Sequence, residues 1–384
     1  MGGRLPGGLR RRAAGHVTWV LVGIVSIAAL YQLLALIAAV VHHRRRTGGG
    51  AGPRPAGISI LKPVYGRDPG FYAAIRSHAI QQYPEFEILF GVHSLDDPAS
   101  DDIQRLITEF PALPIQLIVC PSRTPNRKAG ILADLANEAR YPLLIVNDSD
   151  ITVPAGYFQD VTAPLCDPTI GLVTCLYRAE AHTWPSRFEA LAVATDFAPS
   201  TLVAPWFGVS EFGLGSTLAF RKADLERIGG FQAIADYLAD DYQLGRKLHS
   251  IGLRNVISHV VVITRLSAES WKSAWAHQLR WARTIRLSRG GGYGGLPVTF
   301  ATLWALLAAV FGLWPAATGL MAIRFAMALC GGLVLRDTDV WKYWYVIPVR
   351  DLWGVAVWAV ALFGNTVEWR GRRLRLDREG KIVA

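Results

Sequence analysis

Three stretches of the chain are almost purely apolar, and a long alternating region separates the first from the other two. Residues 17–41 read VTWVLVGIVSIAALYQLLALIAAVV and carry no charge. A helix rises about 1.5 Å per residue, so this stretch is long enough to cross a hydrocarbon core of roughly 30 Å. A secretory signal peptide has an apolar core of only about 7–15 residues, ending at a small-residue cleavage site. Here the run is longer and leads into HHRRR. The pattern predicts an uncleaved membrane anchor over residues 1–46. GGGAGPRPAG (48–57) then reads as a flexible linker within 47–57.

From 58 to 290 short apolar runs alternate with charged, helix-like stretches. ISILKPV, FEILFGV, IQLIVC and PLLIVND are rich in Ile, Leu and Val and end in turn residues, which predicts strands. GFYAAIRSHAIQQY and DDIQRLITEF between them have helical patterns. Strands alternating with helices imply βαβ units and a mostly parallel sheet. Ligands of such sheets bind at the carboxyl ends of the strands, so the residues just after each apolar run matter most.

The chain turns apolar again at 296–335, long enough for two crossings, with breaks expected near Trp314, Pro315 and Arg324. WYVIPVRDLWGVAVWAVALFG (344–364) is a third candidate and carries Arg350 and Asp351. These stretches predict C-terminal membrane segments over 291–366 and a basic cytoplasmic tail over 367–384. Basic flanks stay in the cytoplasm. A domain and a tail on the same side need an even number of crossings between them. With three candidates, either 344–364 lies in the interface or re-enters, or the tail is outside.

Composition narrows the class. Of 384 residues 51% are hydrophobic and 18% charged, with 40 Lys and Arg against 30 acids. An apolar-rich chain of this kind is not intrinsically disordered. Four cysteines at irregular spacings form no disulfide framework, and no Cys/His cluster has zinc spacing. Reduced thiols facing a cytosol are expected. The positive charge flanks the membrane stretches instead of covering a domain face, so no nucleic-acid partner is expected.

Four polar clusters fall at the ends of the apolar runs. HSLDDP places Asp96 and Asp97 after FEILFGV, and NDSDI places Asp148 and Asp150 after PLLIV. Carboxylates two apart on a strand leaving the sheet point the same way and can share a hard divalent cation. A solvated turn is the other reading of a lone D-x-D, and the preceding apolar strand favours the metal. Asp240 and Asp241 open a helical stretch, as partners of the helix dipole or as acids for chemistry. AHQLRWARTIR (276–286) is either an interfacial anchor of Trp and Arg or a helix that closes a site.

The clusters occur in a set order. It runs Lys-Pro (ILKPVYGRDP), DDP, N-x-K (Asn126, Lys128), D-S-D, G-x-G-S-T with R-K (213–222), D-D-Y, then x-x-R-W. This resembles the inverting, family-2-like glycosyltransferases with a GT-A fold. It is most similar to the ceramide glucosyltransferase family, family 21, which includes bacterial hopanoid-associated glycosyltransferases. The resemblance covers nearly the whole chain. It implies an α/β GT-A-type nucleotide-sugar-binding domain over 58–290, inserted between the N-terminal transmembrane helix and a C-terminal transmembrane bundle.

The resemblance also implies roles. Asp97 matches the aspartate on the nucleotide side, and Asp148 the one at the metal and diphosphate, with Asp150 as a second metal ligand. Asp241 matches the catalytic base. Arg280 and Trp281 match the pair beside acceptor and diphosphate. Lys62, Asn126 and Lys128 fall at the family's Lys-Pro and N-x-K positions and join the nucleotide-sugar-binding set. Asp240 and His277 are acceptor-side candidates. His277 stands where the family has Gln or Arg, and Asp150 where animal ceramide enzymes have Gly.

The chemistry suits these residue types. A UDP leaving group gains negative charge that Mg²⁺ or Mn²⁺ and cationic side chains can meet. An alcohol acceptor needs a general base. One displacement without an enzyme nucleophile inverts the anomeric carbon. The hydrophobic segments imply a lipid acceptor, either ceramide receiving glucose or a polyhydroxylated hopanoid receiving N-acetylglucosamine. The expectation is an integral protein of a bacterial inner membrane, with its catalytic domain facing the cytoplasm. FEALAVATDFAPSTLVAPWFGVSEF (188–212) reads as the acceptor wall or as ordinary packing. Two rivals remain. A processive polysaccharide synthase shares the motifs but needs more crossings. A transporter needs ionisable residues in its spans, and only Arg324, Arg350 and Asp351 qualify.

Overall fold

The computed structural model describes residues 7–44, 56–121, 124–266, 270–369 and 371–383. Most of the expected linker lies outside them. The four expected strands form as β1 (Ile58–Pro63), β2 (Phe86–Val92), β3 (Ile115–Val119) and β4 (Leu143–Val146). Three more follow: β5 (Ile170–Glu180), β6 (Leu218–Arg221) and β7 (Arg254–Arg265). The seven-stranded sheet has the order β3-β2-β1-β4-β6-β5-β7. β1 pairs in parallel with β2 and β4, and β2 with β3. β6 runs antiparallel to its neighbours β4 and β5, and β5 is parallel to β7.

Side chains alternate across each strand, so one apolar run serves two cores. Ile58, Ile60, Ile88 and Phe90 face the helices Phe71–Ala79 and Ser100–Glu109 through Phe71, Ile75, Ile103 and Leu106. Leu61, Leu89, Leu144 and Val146 face the helices Arg127–Glu138 and Asp240–Ser250 through Leu132, Leu135, Leu244 and Leu248.

Among the described residues, two helices are long and apolar enough to cross a membrane, within residues 16–44 and 314–335. A third candidate is a pair, Gly291–Thr299 with Ala301–Val310, bent by 52°. The N-terminal helix packs through small residues: Ala28 meets Ala301, Ala305 and Ala308. Small side chains let helix backbones approach closely in lipid. Trp19, Val20, Ile27 and Leu30 point outward.

The structure corrects or narrows three expectations for the C-terminal third. The apolar run breaks at Phe311–Leu313, and not at Arg324. Gly312 has φ +78°, and the Leu313 amide donates to Ala308 O at 2.8 Å, which closes the shorter helix. The helix Trp314–Leu335 then runs through Arg324 unbroken. Arg324 is buried because it bonds Asp351 at 2.6 Å and Asp196 at 3.1 Å, while Arg350 bonds Asp196 at 2.5 Å. Two guanidinium groups and two carboxylates neutralise one another there. Second, 344–364 yields a helix of 15 residues, Ile347–Ala361. That is about 22 Å long, short of the roughly 30 Å core.

The third correction is the basic tail, which is folded. β8 (Thr366–Trp369), β9 (Arg372–Leu376) and β10 (Ile382–Val383) form a sheet in the order β10-β9-β8. Its Val367, Leu374 and Leu376 bury Leu238 of the α/β domain and pack on Leu287.

Candidate active site

β4 ends at Val146, and the chain then turns through Asn147, Asp148, Ser149 and Asp150. The fully buried Asn147 amide pins this turn. It donates to Ser216 O at 2.7 Å and Tyr157 Oη at 2.9 Å, and its oxygen faces His78 Nε2 at 3.2 Å. The Asp148 amide donates to Gly215 O at 3.2 Å. The D-S-D turn and the G-L-G-S-T loop are therefore one rigid unit.

Gly215 is the closest point of the site. A Cβ there would lie 2.9 Å from Asp148 Oδ2 and 3.3 Å from Asp241 Oδ2. The Gly215 amide donates to Asp241 Oδ2 at 2.9 Å. Asp148 from β4 and Asp241 from the helix Asp240–Ser250 thus converge on one glycine. Lys128 ties the turn to the start of that helix, 2.7 Å from Asp148 Oδ1 and 3.1 Å from Asp240 Oδ2. Burial opposes the charge on Lys128, but Asp148, Asp240 and Asp241 outweigh it and hold it protonated. Burial and the adjacent Asp240 push Asp241 up to about 6, against Lys128. Its other oxygen accepts the Tyr242 amide.

Asp150 accepts a hydrogen bond from Thr264 of β7. Burial and then Asp148 push it up to about 6. No group of three or more His, Cys, Asp or Glu arranged for a metal occurs among the described residues. The donor set is two carboxylates. That set fits a hard cation such as Mg²⁺, which takes one or two carboxylates and leaves the other positions to water and phosphate oxygens. Burial raises Asp150 first and the Asp148 charge second, and a bound cation would offset both by stabilising the ionised carboxylates.

Two expected ligand contacts turn inward. Lys62 is fully buried, with Nζ 3.2 Å from Asp148 O. Burial pushes it down to about 7, against Asp150 and Asp148. It supports the D-S-D turn from beneath, because it shares the inward parity of Ile58 and Ile60. Asn126 is fully buried too. Its oxygen accepts the Ala129 amide, capping the helix Arg127–Glu138, and its Nδ2 donates to Tyr237 O at 2.7 Å. Asp97 is half-buried and ties two loops, accepting the Gly66 and Ala99 amides at 2.8 and 2.9 Å.

The x-x-R-W segment forms the helix Trp271–Ser288. His277, Arg280 and Trp281 are all partly buried, and the His277 and Trp281 rings lie 4.6 Å apart. His277 Nδ1 bonds Glu189, a buried residue of the helix Trp184–Ala192. Sequence reading missed Glu189, His78, Asn147 and Tyr177. Tyr177 of β5 is pushed up by burial and by the carboxylates of Glu189, Asp148, Asp241 and Asp150 together. It stands within the field of both the acid cluster and the His277 pair. The 188–212 segment packs as short helices against the membrane helices, with Leu191, Ala194, Ala198 and Leu202 beside Met327 and Val334.

A family-wide sequence comparison decides the class: the description Glycosyl transferase family 21 matches residues 21–382. The chain belongs to that family. The match takes in the anchor helix, the acid cluster and the C-terminal sheet. Among curated family 21 relatives, ceramide glucosyltransferase 1 of Caenorhabditis elegans is 28% identical over 254 residues, 65% of this chain and 54% of its own. Ceramide glucosyltransferase 3 of the same organism is 28% identical over 283 residues, 72% of this chain and 61% of its own. The matched region thus spans little more than half the length of these relatives. Among solved structures, the mannosyltransferase PcManGT from Pyrobaculum calidifontis, in complex with GDP-Man and Mn2+, superposes with a TM-score of 0.56. It is 18% identical and covers 90% of this chain and 99% of its own. The family 21 domain therefore has a GT-A-like fold, joined to helices long and apolar enough to cross a membrane.

Proposed function

We propose that this protein is an inverting hexosyltransferase that moves glucose from UDP-glucose to the primary hydroxyl of ceramide. The convergence of Asp148 and Asp241 on Gly215 carries the reading. It brings a phosphate-side acid and a basic carboxylate together at one point of the backbone, where the Gly215 amide holds Asp241 and a side chain would press on Asp148. The names of the curated relatives supply sugar and acceptor.

Asp148 and Asp150 would hold Mg²⁺ or Mn²⁺ against the diphosphate. When bound, the cation neutralises charge on the departing UDP. Lys128 stands beside Asp148 as a second positive charge, and Arg280 supplies a third from the interfacial helix. Asp97 holds the loop on the nucleotide side. Asp241 takes the proton from the acceptor hydroxyl as its oxygen attacks the anomeric carbon. With Asp241 acting on the acceptor and no enzyme nucleophile, an α-linked donor gives a β-linked product. His277, oriented by Glu189, and Asp240 line the acceptor side.

The membrane topology supports a lipid acceptor. The C-terminal sheet packs on Leu238, so it lies on the same side of the membrane as the domain. An even number of crossings must separate them. The bent pair at 291–310 and the helix Trp314–Leu335 make two, and Ile347–Ala361 lies at the interface. The catalytic domain then faces the cytoplasm, where UDP-sugars are made, with basic residues at the anionic leaflet.

The test is purified enzyme with UDP-glucose, ceramide and Mg²⁺, read by mass spectrometry. β-Glucosylceramide is the expected product. Turnover only with a hopanoid polyol and UDP-N-acetylglucosamine would replace both substrates, and a polymer would replace the reading altogether.

A further inference from the structure

The loop that delivers Asp240 and Asp241 is covered on its outer side by the last strand of the chain. The Ile382 amide donates to Asp236 O at 2.7 Å, and the Leu238 amide donates to Gly380 O at 3.3 Å. Tyr237 and Lys381 form an antiparallel bridge between them. On the inner side, the Asn126 amide donates to Ala235 O at 2.9 Å and its side chain to Tyr237 O at 2.7 Å. Residues 235–238 are thus gripped from both faces, three positions before Asp241.

The same sheet grips the helix that carries Arg280 and Trp281. Arg283 donates to Thr366 O at 2.6 Å and to Phe363 O at 3.1 Å. Arg286 donates to Gly364 O at 2.6 Å. Gly364 has φ +76°, a conformation that turns its carbonyl out at little cost only for glycine. Leu238 from the loop, Leu287 from the helix and Val367, Leu374, Leu376 and Ile382 from the sheet share one small core. The basic charge of this segment is spread over a folded hairpin, with Leu374 and Leu376 buried and Arg373 and Arg375 outward.

We propose that the C-terminal sheet is a positioning clamp that fixes Asp241 relative to Arg280 and Trp281, with Ile382 and Arg283 as its positioning residues. The proposal rests on Asp241 being the general base. The base comes from the α/β domain, and the x-x-R-W helix lies against the membrane segments. The sheet joins the two, so the acceptor hydroxyl and the diphosphate meet groups at a set separation. Displacing one such group by about 1 Å costs on the order of 10²-fold in rate.

The experiment uses the full chain, purified in detergent, with turnover expressed per donor-binding site. Ile382→Pro removes the amide that reaches Asp236 while keeping an extended backbone at the sheet edge. It should lower kcat by about ten-fold or more and leave the donor KM within about two-fold. Arg283→Met should act in the same direction, and Ile382→Val should retain full turnover. In an Asp241→Asn background Ile382→Pro should add no further loss, because both act through one group. Unchanged turnover per donor site in Ile382→Pro overturns the clamp, since a merely structural strand lowers only the number of competent molecules. A full further ten-fold loss on top of Asp241→Asn also overturns it. Full activity of Asp241→Asn alone would instead remove the assignment of the base.

Discussion

Lys128 lies 2.7 Å from Asp148, and the same ammonium reaches Asp240 at 3.1 Å, so one lysine joins the turn after β4 to the helix that carries Asp241. The consequence is a pH profile. Asp241 accepts a proton only when ionised, and burial with Asp240 holds it up to about 6. Turnover should be flat above that value and fall with unit slope as pH drops through it. Lys128 opposes the upward shift, so Lys128→Met should move the acid limb to higher pH and lower the plateau. A limb that stays in place in Lys128→Met would show that another group sets it.

Metal removal gives the second test. Asp148 and Asp150 are the only carboxylate pair on the turn after β4. EDTA should abolish turnover, and Mg²⁺ or Mn²⁺ should restore it. Asp148→Ala should weaken UDP-sugar binding as well as turnover, because a cation held by Asp148 and Asp150 would supply positive charge to the diphosphate. Full activity in EDTA would remove the metal from the reaction.

Gly215→Ala should be among the most damaging small changes in the domain. The added methyl would sit 2.9 Å from Asp148 Oδ2, so either Asp148 or the loop must shift. The Asp148 side chain is partly exposed and can swing aside, but its pairing with Lys128 would move with it. Loss of about 10–10²-fold in kcat is expected, with little change in melting temperature. Wild-type turnover would mean that the two carboxylates do not act across this point.

The first four strands were legible because each is a short Ile/Leu/Val run closed by turn residues. The acids were legible because they follow those runs directly. Direction was harder to see. Lys62 looked like a ligand contact, yet it keeps the parity of Ile58 and Ile60 and so points under the sheet. His78 carries the same signal on a helix, on one face with Phe71, Ala74 and Ile75. Glu189 gave no signal, since its partner His277 is 88 positions away. The C-terminal strands were masked by charge. RRLRL alternates as a half-buried strand does, but five residues with three arginines read first as a tail.

Arg324 offers a stability prediction. Its guanidinium is buried against Asp351 and Asp196, and it also donates to Thr195 O at 2.8 Å. Arg324→Leu would strand the buried Asp351 carboxylate, while the partly exposed Asp196 keeps Arg350. Breaking such a pair costs about 3–5 kcal/mol, whereas replacing both partners with apolar side chains can be neutral. Thermal unfolding in detergent should show a large drop for Arg324→Leu and partial recovery in Arg324→Leu/Asp351→Leu. No drop in the single variant would mean the network contributes nothing to stability.

Arg280 separates two accounts of the interfacial helix. In one, Trp and Arg merely anchor the helix in headgroups, and only charge and amphipathicity matter. In the other, the helix presents Arg280 to diphosphate oxygens. The helix is held by protein at its middle and its C-terminal half: Gln278 accepts a hydrogen bond from Trp353 at 3.0 Å, and Arg283 and Arg286 donate to carbonyls beyond Ala361. His277, one turn before Arg280, is fixed by Glu189 and lies against Trp281. A helix so fixed presents its side chains at set positions, which an anchor does not need. A guanidinium fork binds two phosphate oxygens at once and an ammonium does not. Arg280→Lys keeps the charge and loses the fork, so turnover should fall by about ten-fold or more if the fork contributes the roughly 1.5–3 kcal/mol of a charged hydrogen bond. Under the anchor account Arg280→Lys would be nearly silent, as would moving the arginine one turn along the same face. Kinetics of Arg280→Lys in correctly inserted protein decide between them, and near-normal turnover would leave the anchor account standing.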